Sequence, residues 1–206
     1  WGEARSTDDS EGEVTETSPR RPSEAEIRAA LPAFHGSIAQ TPPAYSAIKL
    51  AGKPAYARSR AGESVNMVPR TVFIDRLALV SIQDIDHAEF LVSCGKGTYI
   101  RSLARDIAVA LGTVGHVGSL RRLAVGRFTE DRAISLENLE LLGHSPAAFA
   151  HVRAVETVLD DIPALAVTAD DSLRLRRGQS IAMPREAQKL ADDDRQAVSF
   201  ASGQVV

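Results

Sequence analysis

The segment from Cys94 to Arg101, Cys-Gly-Lys-Gly-Thr-Tyr-Ile-Arg, combines residue types that could bind an anion or a base. Its two glycines would let a ligand approach the backbone closely, and a helix starting here would direct free N–H groups and its positive dipole end toward an anion. Lys96 is followed by Gly97 rather than by a serine or threonine, which excludes a nucleotide-binding P-loop. A helix start placed for packing is the alternative explanation of this short pattern.

Two further segments carry basic residues next to apolar or aromatic ones. The first is Gln40-Thr-Pro-Pro-Ala-Tyr-Ser-Ala-Ile-Lys49, a stiff loop because its prolines remove backbone donors, and Lys53 follows it. The second is Ser119-Leu-Arg-Arg-Leu-Ala-Val125. Adjacent strand residues point to opposite faces, so at most one of its two arginines can face a given ligand. An edge strand protected by charge is the alternative interpretation.

Positive charge is concentrated in the middle of the chain. The 206 residues have a formal net charge of −3, but residues 40–127 contain 12 Lys or Arg against 6 Asp or Glu, so the remainder carries −9. A basic surface attracts nucleic acid because each neutralised phosphate releases condensed counterions. Charge alone does not distinguish such a binding surface from a basic surface that is solvated and binds no ligand.

The sequence offers little for metal or disulfide chemistry. Cys94 is the single cysteine, which excludes an intrachain disulfide and a paired-cysteine zinc site. The five histidines lack ligand spacing, and we expect no metal. Because Cys94 ends a predicted strand without a histidine nearby in sequence, we interpret it as an inert core thiol rather than a nucleophile.

Periodicity and capping residues predict the elements that must position these segments. The predicted elements are a hairpin or loop over residues 1–22, a helix capped by Ser23 and Glu26, strands over Val72–Val80 and Ala88–Cys94, a helix from Ile100 to Leu111, a strand over His116–Val125 and a short helix from Ser135 to Leu142. For the central helix we expect Thr98 as N-cap and Gly112 as the C′ residue. This order of elements predicts an α+β fold with a mainly antiparallel sheet.

The C-terminal part reads as a separate small domain. Residues 143–153 are rich in turn residues and lack periodicity, so we predict a linker there. Residues 154–206 alternate short apolar stretches with turn residues, including a capped turn at Thr168 and a turn at Pro184. We therefore predict one domain over residues 1–142 and a small, mostly β domain over residues 154–206 after the linker.

Three ordered blocks resemble the TruB family of tRNA pseudouridine synthases. They are the proline loop with Gly52, Tyr56 and Ala57, the Cys94–Arg101 segment, and Gly115-His-Val-Gly-Ser-Leu-Arg-Arg-Leu-Ala-Val125. The resemblance implies an α+β fold of pseudouridine-synthase type with a mainly antiparallel mixed sheet. It implies that residues 1–142 are the C-terminal part of the catalytic domain, with a tRNA-gripping insertion over about residues 36–70, and that residues 154–206 are a partial PUA-like domain. It also implies isomerisation of the T-loop uridine of tRNA, conventionally position 55, to pseudouridine without metal or organic cofactor.

The resemblance also assigns roles to individual residues. Tyr99 and Arg101 would be catalytic, with Arg101 orienting an aspartate through a charge-assisted pair. The uracil would contact Tyr99, Leu120, Lys96 and Gly97. Because a phenol is a poor base at neutral pH, stacking is a safer role for Tyr99 than that of a base. The expected RNA-binding residues, which would grip the T-stem-loop, are Tyr45, Lys49, Lys53, Arg58, Arg121 and Arg122.

One feature of the family is not found among these residues. Its sugar-attacking aspartate lies in a His-x-Gly-x-Leu-Asp-Pro type of block, and Asp8, Asp9, Asp75 and Asp106 have other neighbours. We therefore expect the nucleophilic aspartate outside this chain, Arg101 without its partner inside the chain, and no isomerisation by the 206 residues alone.

Three other functions stay open at this stage. They are a non-catalytic RNA-binding or tRNA-remodelling protein, a synthase subunit that works with a guide RNA, and a nucleotide-hydrolysing enzyme, which the lack of a Walker pattern disfavours. No stretch approaches the roughly 18 apolar residues of a membrane span, and the first ten residues have no signal-peptide core. We expect a cytoplasmic protein that binds tRNA, with no membrane association and no obligate protein partner.

Overall fold

The structure, a computed structural model, describes residues 1–50, 52–158, 164–182, 198–201 and 204–205. Its contacts divide the chain into two compact units, Trp1–Leu120 and Arg121–Val206. The elements of the first unit are β1 (Glu3–Arg5), β2 (Val14–Thr17), α1 (Glu24–Ala30), a 3₁₀ turn (Leu31–Phe34), β3 (Gly36–Gln40), β4 (Lys49–Leu50), β5 (Lys53–Pro54), α2 (Ala55–Arg60), β6 (Arg70–Ile82), β7 (Ala88–Cys94) and α3 (Ile100–Ala110).

The first unit is built on an antiparallel sheet with the strand order β3-β6-β7. Ile74, Leu77 and Leu79 of β6 form one core cluster with apolar residues of α1, its 3₁₀ turn and α3. A register shift between Ile74 and Arg76 explains why the buried positions change from even to odd numbers. The α+β fold with a mainly antiparallel sheet is therefore confirmed, as are the strands expected over 72–80 and 88–94.

The predicted helices of this unit form, with one difference at a terminus. Ser23 and Glu26 make a complete capping box at the start of α1. The helix α3 ends before Gly112, which has a φ of +69°. The expectation that Thr98 caps α3 is wrong, because the Thr98 hydroxyl donates to the Gly95 carbonyl at 2.9 Å and Tyr99 is the N-cap residue.

The strand predicted over His116–Val125 is also wrong for most of its length. In the first unit, Val117 forms only an isolated bridge with Asp9, exchanging backbone hydrogen bonds with Asp8 and Ser10. In the second unit, Ala124–Val125 forms the two-residue strand β8, paired with β9 (Phe128–Thr129). A strand needs a neighbour along its length, and residues 118–123 are assigned to none.

The second unit is described only in part. After β9 it contains a 3₁₀ turn (Glu130–Arg132), α4 (Leu136–Leu142), α5 (Pro146–Phe149), a 3₁₀ turn (Val155–Val158), β10 (Ala164–Ala166), α6 (Ala169–Arg176), β11 (Val198–Ala201) and β12 (Gln204–Val205). The helix start expected at Ser135 and the capped turn expected at Thr168 are confirmed, and both side chains accept a backbone hydrogen bond as N-caps. Residues 159–163, 183–197, 202–203 and 206 of the predicted small domain, including Pro184, lie outside the described residues. The boundaries at 142 and 153 stay a prediction, and α5 lies between them.

Candidate active site

Tyr99 stands at the junction between a glycine turn and the helix α3. Gly97 has a φ of +84°, which favours glycine and lets the chain reverse before the helix begins. Lys96 and Gly97 are exposed at this turn, whereas Tyr99 is half-buried. Cys94, at the end of β7, is exposed, so its interpretation as a core thiol is wrong.

The backbone of Tyr99 is held on both sides by one buried amide. Gln40 is fully buried, its amide nitrogen donates to the Tyr99 carbonyl at 3.1 Å, and its amide oxygen accepts from the Tyr99 N–H at 2.9 Å. The side chain thus replaces the two hydrogen bonds that a neighbouring strand would make. Neither the residue type of Gln40 nor its place in the proline loop indicates this contact, because Tyr99 lies 59 positions away in sequence.

The ring of Tyr99 is covered by a cation from the start of β6. The Arg70 guanidinium lies 5.0 Å from the ring centroid, a cation–π distance, and it also donates to the carbonyl of Gly97. Arg70 was not among the expected site residues because 29 positions separate it from Tyr99 in sequence. Only the antiparallel packing of β6 beside the glycine turn brings the two together.

Arg101 joins three segments of the first unit. It donates to the Asp9 carboxylate at 2.9 Å, to the Thr7 carbonyl at 3.0 Å and to the Tyr45 carbonyl at 3.0 Å. Arg101 therefore has a carboxylate partner within the chain, whereas the absence of its pairing with the family's sugar-attacking aspartate stays a prediction. The hairpin turn between β1 and β2 supplies the partner, and the bridge to Val117 fixes this turn against the segment that follows α3.

The carboxylate of Asp9 is bound at both oxygens. One oxygen accepts from the Thr7 hydroxyl at 2.6 Å and from the Glu11 N–H at 3.1 Å, and the other accepts from Arg101. Burial opposes ionisation of Asp9, but these hydrogen bonds and the Arg101 charge together lower its pKa below the usual range. Asp9 is therefore an ionised anchor for Arg101.

The expected RNA-binding residues of the first unit lie within the insertion predicted over about residues 36–70. Lys49 and Lys53 are exposed on the β4–β5 hairpin, and Tyr45 is half-buried in the loop before it. Arg58 on α2 pairs with Glu63 at 2.6 Å, so its charge is partly compensated. Arg60, on the same helix, lies 5.5 Å from the ring centroid of Tyr56, an arrangement that the sequence did not indicate.

The third block straddles the boundary between the units. Leu120, the last residue of the first unit, is 61% exposed. In the second unit Arg122 is exposed and Arg121 makes an ion pair with Glu130. Within the described ranges no group of three or more His, Cys, Asp or Glu could hold a metal ion, and none of their helices is long and apolar enough to cross a membrane.

Comparison with known proteins places the chain in a family. The model of the TruB family pseudouridylate synthase N-terminal domain matches residues 1–100, and that of the tRNA pseudouridylate synthase B C-terminal domain matches residues 101–160. The chain belongs to the TruB family. The three signature blocks all lie inside the matched residues, so the resemblance read from the sequence is confirmed.

Individual relatives agree with this assignment. The chain is 46% identical to the tRNA pseudouridine synthase B of a Caulobacter species, covering 99% of this chain and 67% of the relative. It is 53% identical to that of Bradyrhizobium diazoefficiens, covering 88% and 54%. The chain thus spans between half and about two thirds of the length of these curated relatives.

A solved structure with low sequence identity has the same fold. A chain of "Crystal Structure of a Cbf5-Nop10-Gar1 Complex" aligns with a TM-score of 0.65 and 20% identity, covering 91% of this chain and 55% of that one. At this identity the likeness concerns the fold alone. It agrees with the mixed α/β architecture and antiparallel sheet described above.

Proposed function

We propose that this chain is part of a tRNA pseudouridine synthase that converts the T-loop uridine at position 55 to pseudouridine. The observation that carries the proposal is the junction of Arg101 with the Asp9 carboxylate and the Tyr45 carbonyl, two residues after Tyr99. The curated relatives that bear this enzyme's name are 46% and 53% identical to the chain. We also propose a cytoplasmic location and no obligate protein partner.

The reaction defines what the residues have to do. The uracil must be extruded from its stack, detached from the ribose, turned and rejoined through its C5 atom, in a pocket that excludes water. We assign the Tyr99 ring to the face of the uracil, with Arg70 steadying the ring and Gln40 its backbone. Lys96 and Gly97 would contact the same nucleotide at the exposed turn, and Leu120 would pack on its other side.

We propose that Asp9 positions Arg101. We further propose that the sugar-attacking aspartate belongs to a segment outside these 206 residues. Both oxygens of Asp9 already accept hydrogen bonds, so attack on the ribose would require it to release Arg101 or Thr7. Arg101, which has several donors in a planar fork, can hold Asp9 and a second carboxylate together. No metal or organic cofactor enters this assignment.

We assign the grip on the T-stem-loop to the insertion and the third block. Lys49, Lys53 and Arg58 would bind phosphates, and Tyr45 would contact a splayed base, in keeping with RNA recognition by shape and unstacked bases. Arg121 and Arg122 would add charge in the second unit. No membrane takes part.

The test measures tritium release from unmodified tRNA labelled at C5 of uridine. We expect release by the complete gene product that contains these residues, loss of release on Arg101→Ala, and none by residues 1–206 alone. A Cys94→Ser variant is the matched control and should retain the wild-type rate, because Cys94 has no role in the proposal. Release by the 206 residues at the rate of the complete protein would refute the placement of the aspartate and direct attention to Asp9 and Asp106.

The rival functions give different results in the same assay. A non-catalytic RNA-binding protein would bind the T-stem-loop and release no tritium in any form. A guide-dependent subunit would release tritium only when a guide RNA is added. We favour the stand-alone enzyme because curated relatives that are 46% and 53% identical bear its name.

A further inference from the structure

Arg105 lies one helical turn after Arg101 on α3 and repeats its pattern of contacts. Its guanidinium donates to the Asp8 carboxylate at 2.8 Å and to the Thr41 carbonyl at 2.8 Å. A third hydrogen bond, of 3.0 Å, goes to the neighbouring Asp106. Residues four apart on a helix lie on one face, so both arginine side chains project from the same face of α3.

Each of the two arginines joins the same two segments to the helix. Arg101 holds Asp9 of the hairpin turn and the Tyr45 carbonyl, whereas Arg105 holds Asp8 of that turn and the Thr41 carbonyl. The hairpin turn and the proline loop from residue 41 to residue 45 are thus each anchored twice.

The proline loop depends on the donors of these two arginines to stay docked against α3. Pro42 and Pro43 are buried and have no N–H group, so the loop cannot dock by donating its own backbone hydrogen bonds at these positions. What the loop offers instead is carbonyl oxygens, and the two arginines supply the donors for the carbonyls at its ends. Removal of Arg105 leaves the end that contains Thr41 without this tether.

The hairpin turn is also held in a costly conformation. Asp8 has a φ of +60°, which non-glycine residues seldom adopt, and its side chain is only 16% exposed. Such a conformation persists only where the surroundings fix it. Burial raises the pKa of Asp8, and the Arg105 guanidinium opposes that rise. Arg105 is therefore the cation that matches the buried carboxylate of this turn.

We propose that Arg105 is a second positioning residue of the active site, which acts through Arg101 and Tyr45 and touches no reacting atom. It fixes the hairpin turn and the proline loop against α3, so that Asp9 and the Tyr45 carbonyl meet Arg101 in one geometry. This inference rests on the proposed function for its effect on rate. Misplacement of a catalytic group by 1 Å can reduce a rate by about a hundredfold, so we expect a decrease of about tenfold to a hundredfold on Arg105→Gln.

The test compares Arg105→Gln with Arg20→Gln in the complete gene product. Arg20 also tethers α3, through its bond to the Leu111 carbonyl at 2.7 Å, but at the opposite end of the helix. We expect Arg105→Gln to slow single-turnover tritium release while the Kd for a T-stem-loop RNA changes less than threefold. Arg20→Gln should leave the rate unchanged, which separates positioning from a general loss of helix stability.

Hydrogen exchange gives a second measurement that does not depend on activity. Arg105→Gln should accelerate amide exchange in both residues 6–12 and 44–48, and Arg20→Gln should not. Unchanged exchange there, or accelerated exchange with a wild-type rate of isomerisation, would overturn the inference. A wild-type protein without tritium release would refute the proposed function instead, and exchange would still decide whether Arg105 anchors both segments.

If the glutamine variant does not fold, Arg105→Lys provides a second test of the same proposal. Lysine keeps the charge near Asp8 but cannot bridge Asp8 and the Thr41 carbonyl as the planar fork of arginine does. We expect faster exchange over residues 44–48 and a rate at least about fivefold below wild type, by the same positional argument. A lysine variant with wild-type exchange and rate would contradict the proposal.

Discussion

Replacing Gln40 with glutamate should destabilise the first unit although the side chain keeps its shape. The change converts the amide nitrogen that donates to the Tyr99 carbonyl into a second acceptor oxygen, at a fully buried site. A buried carbonyl left without a donor costs about 1–3 kcal/mol, and desolvation of the new charge adds to that cost. A loss of about 2 kcal/mol corresponds to a urea midpoint roughly 1 M lower when m is about 2 kcal/mol/M.

The loss of stability in the Gln40→Glu variant should depend on pH, which provides an internal check. Burial and the facing carbonyl should raise the pKa of the introduced glutamate in the folded state above the unfolded value of about 4.3. The protonated acid can donate to the Tyr99 carbonyl, so the variant should approach wild-type stability below pH about 4.3 and lose stability as pH rises through the folded-state pKa. The difference from wild type should therefore be larger at pH 8 than at pH 4.5.

Urea unfolding followed by tryptophan fluorescence measures this effect in the 206-residue chain. Trp1 is the single tryptophan, lies in the first unit and contacts the Phe90 ring edge-on at 6.3 Å between centroids. Gln83→Glu is the matched control, because Gln83 is exposed between β6 and β7 and its substitution should change stability by less than about 0.5 kcal/mol. Equal midpoints for wild type and Gln40→Glu at pH 8 would refute the assignment of Gln40 as the anchor of Tyr99.

Three further predictions concern RNA binding, chemistry and the ion pair at Asp9. Charge reversal of Lys49 and Lys53 should weaken binding to any tRNA and reduce the slope of log Kd against log salt; an unchanged slope would exclude this hairpin from the interface. Tyr99→Leu should lose a stack worth about 1–3 kcal/mol, whereas Tyr99→Phe should keep it, and near-wild-type single-turnover rates for both would remove Tyr99 from the site. Asp9→Asn should lower stability at pH 7 by about 1–3 kcal/mol. Because the folded-state pKa of Asp9 is lowered, its contribution is present above pH about 3.9 and is lost as pH falls through the folded-state value, so urea midpoints of the two proteins should converge as the pH falls below about 3.9; a constant gap would contradict the ion pair.

The sequence predicted those features that depend on neighbours along the chain. The capping box at Ser23 and Glu26, the alternation of β6 and β7 and the glycine after α3 are local patterns, and each corresponds to an element of the structure. The fold class follows from their order, and the family follows from three short blocks matched by the family models. The same local reasoning failed over most of His116–Val125, because residues 118–123 have no partner strand.

The tertiary structure alone decided which groups meet around Tyr99 and Arg101. Gln40, Arg70 and Asp9 are separated from their partners by 59, 29 and 92 positions, so no periodicity or spacing relates them. Sequence reasoning named Arg101 as a carboxylate partner but could not find Asp9, because a hairpin turn and a helix meet only after the sheet and core have formed. Residue type determines which interactions are possible, whereas packing determines which of them form when buried donors and acceptors must be satisfied.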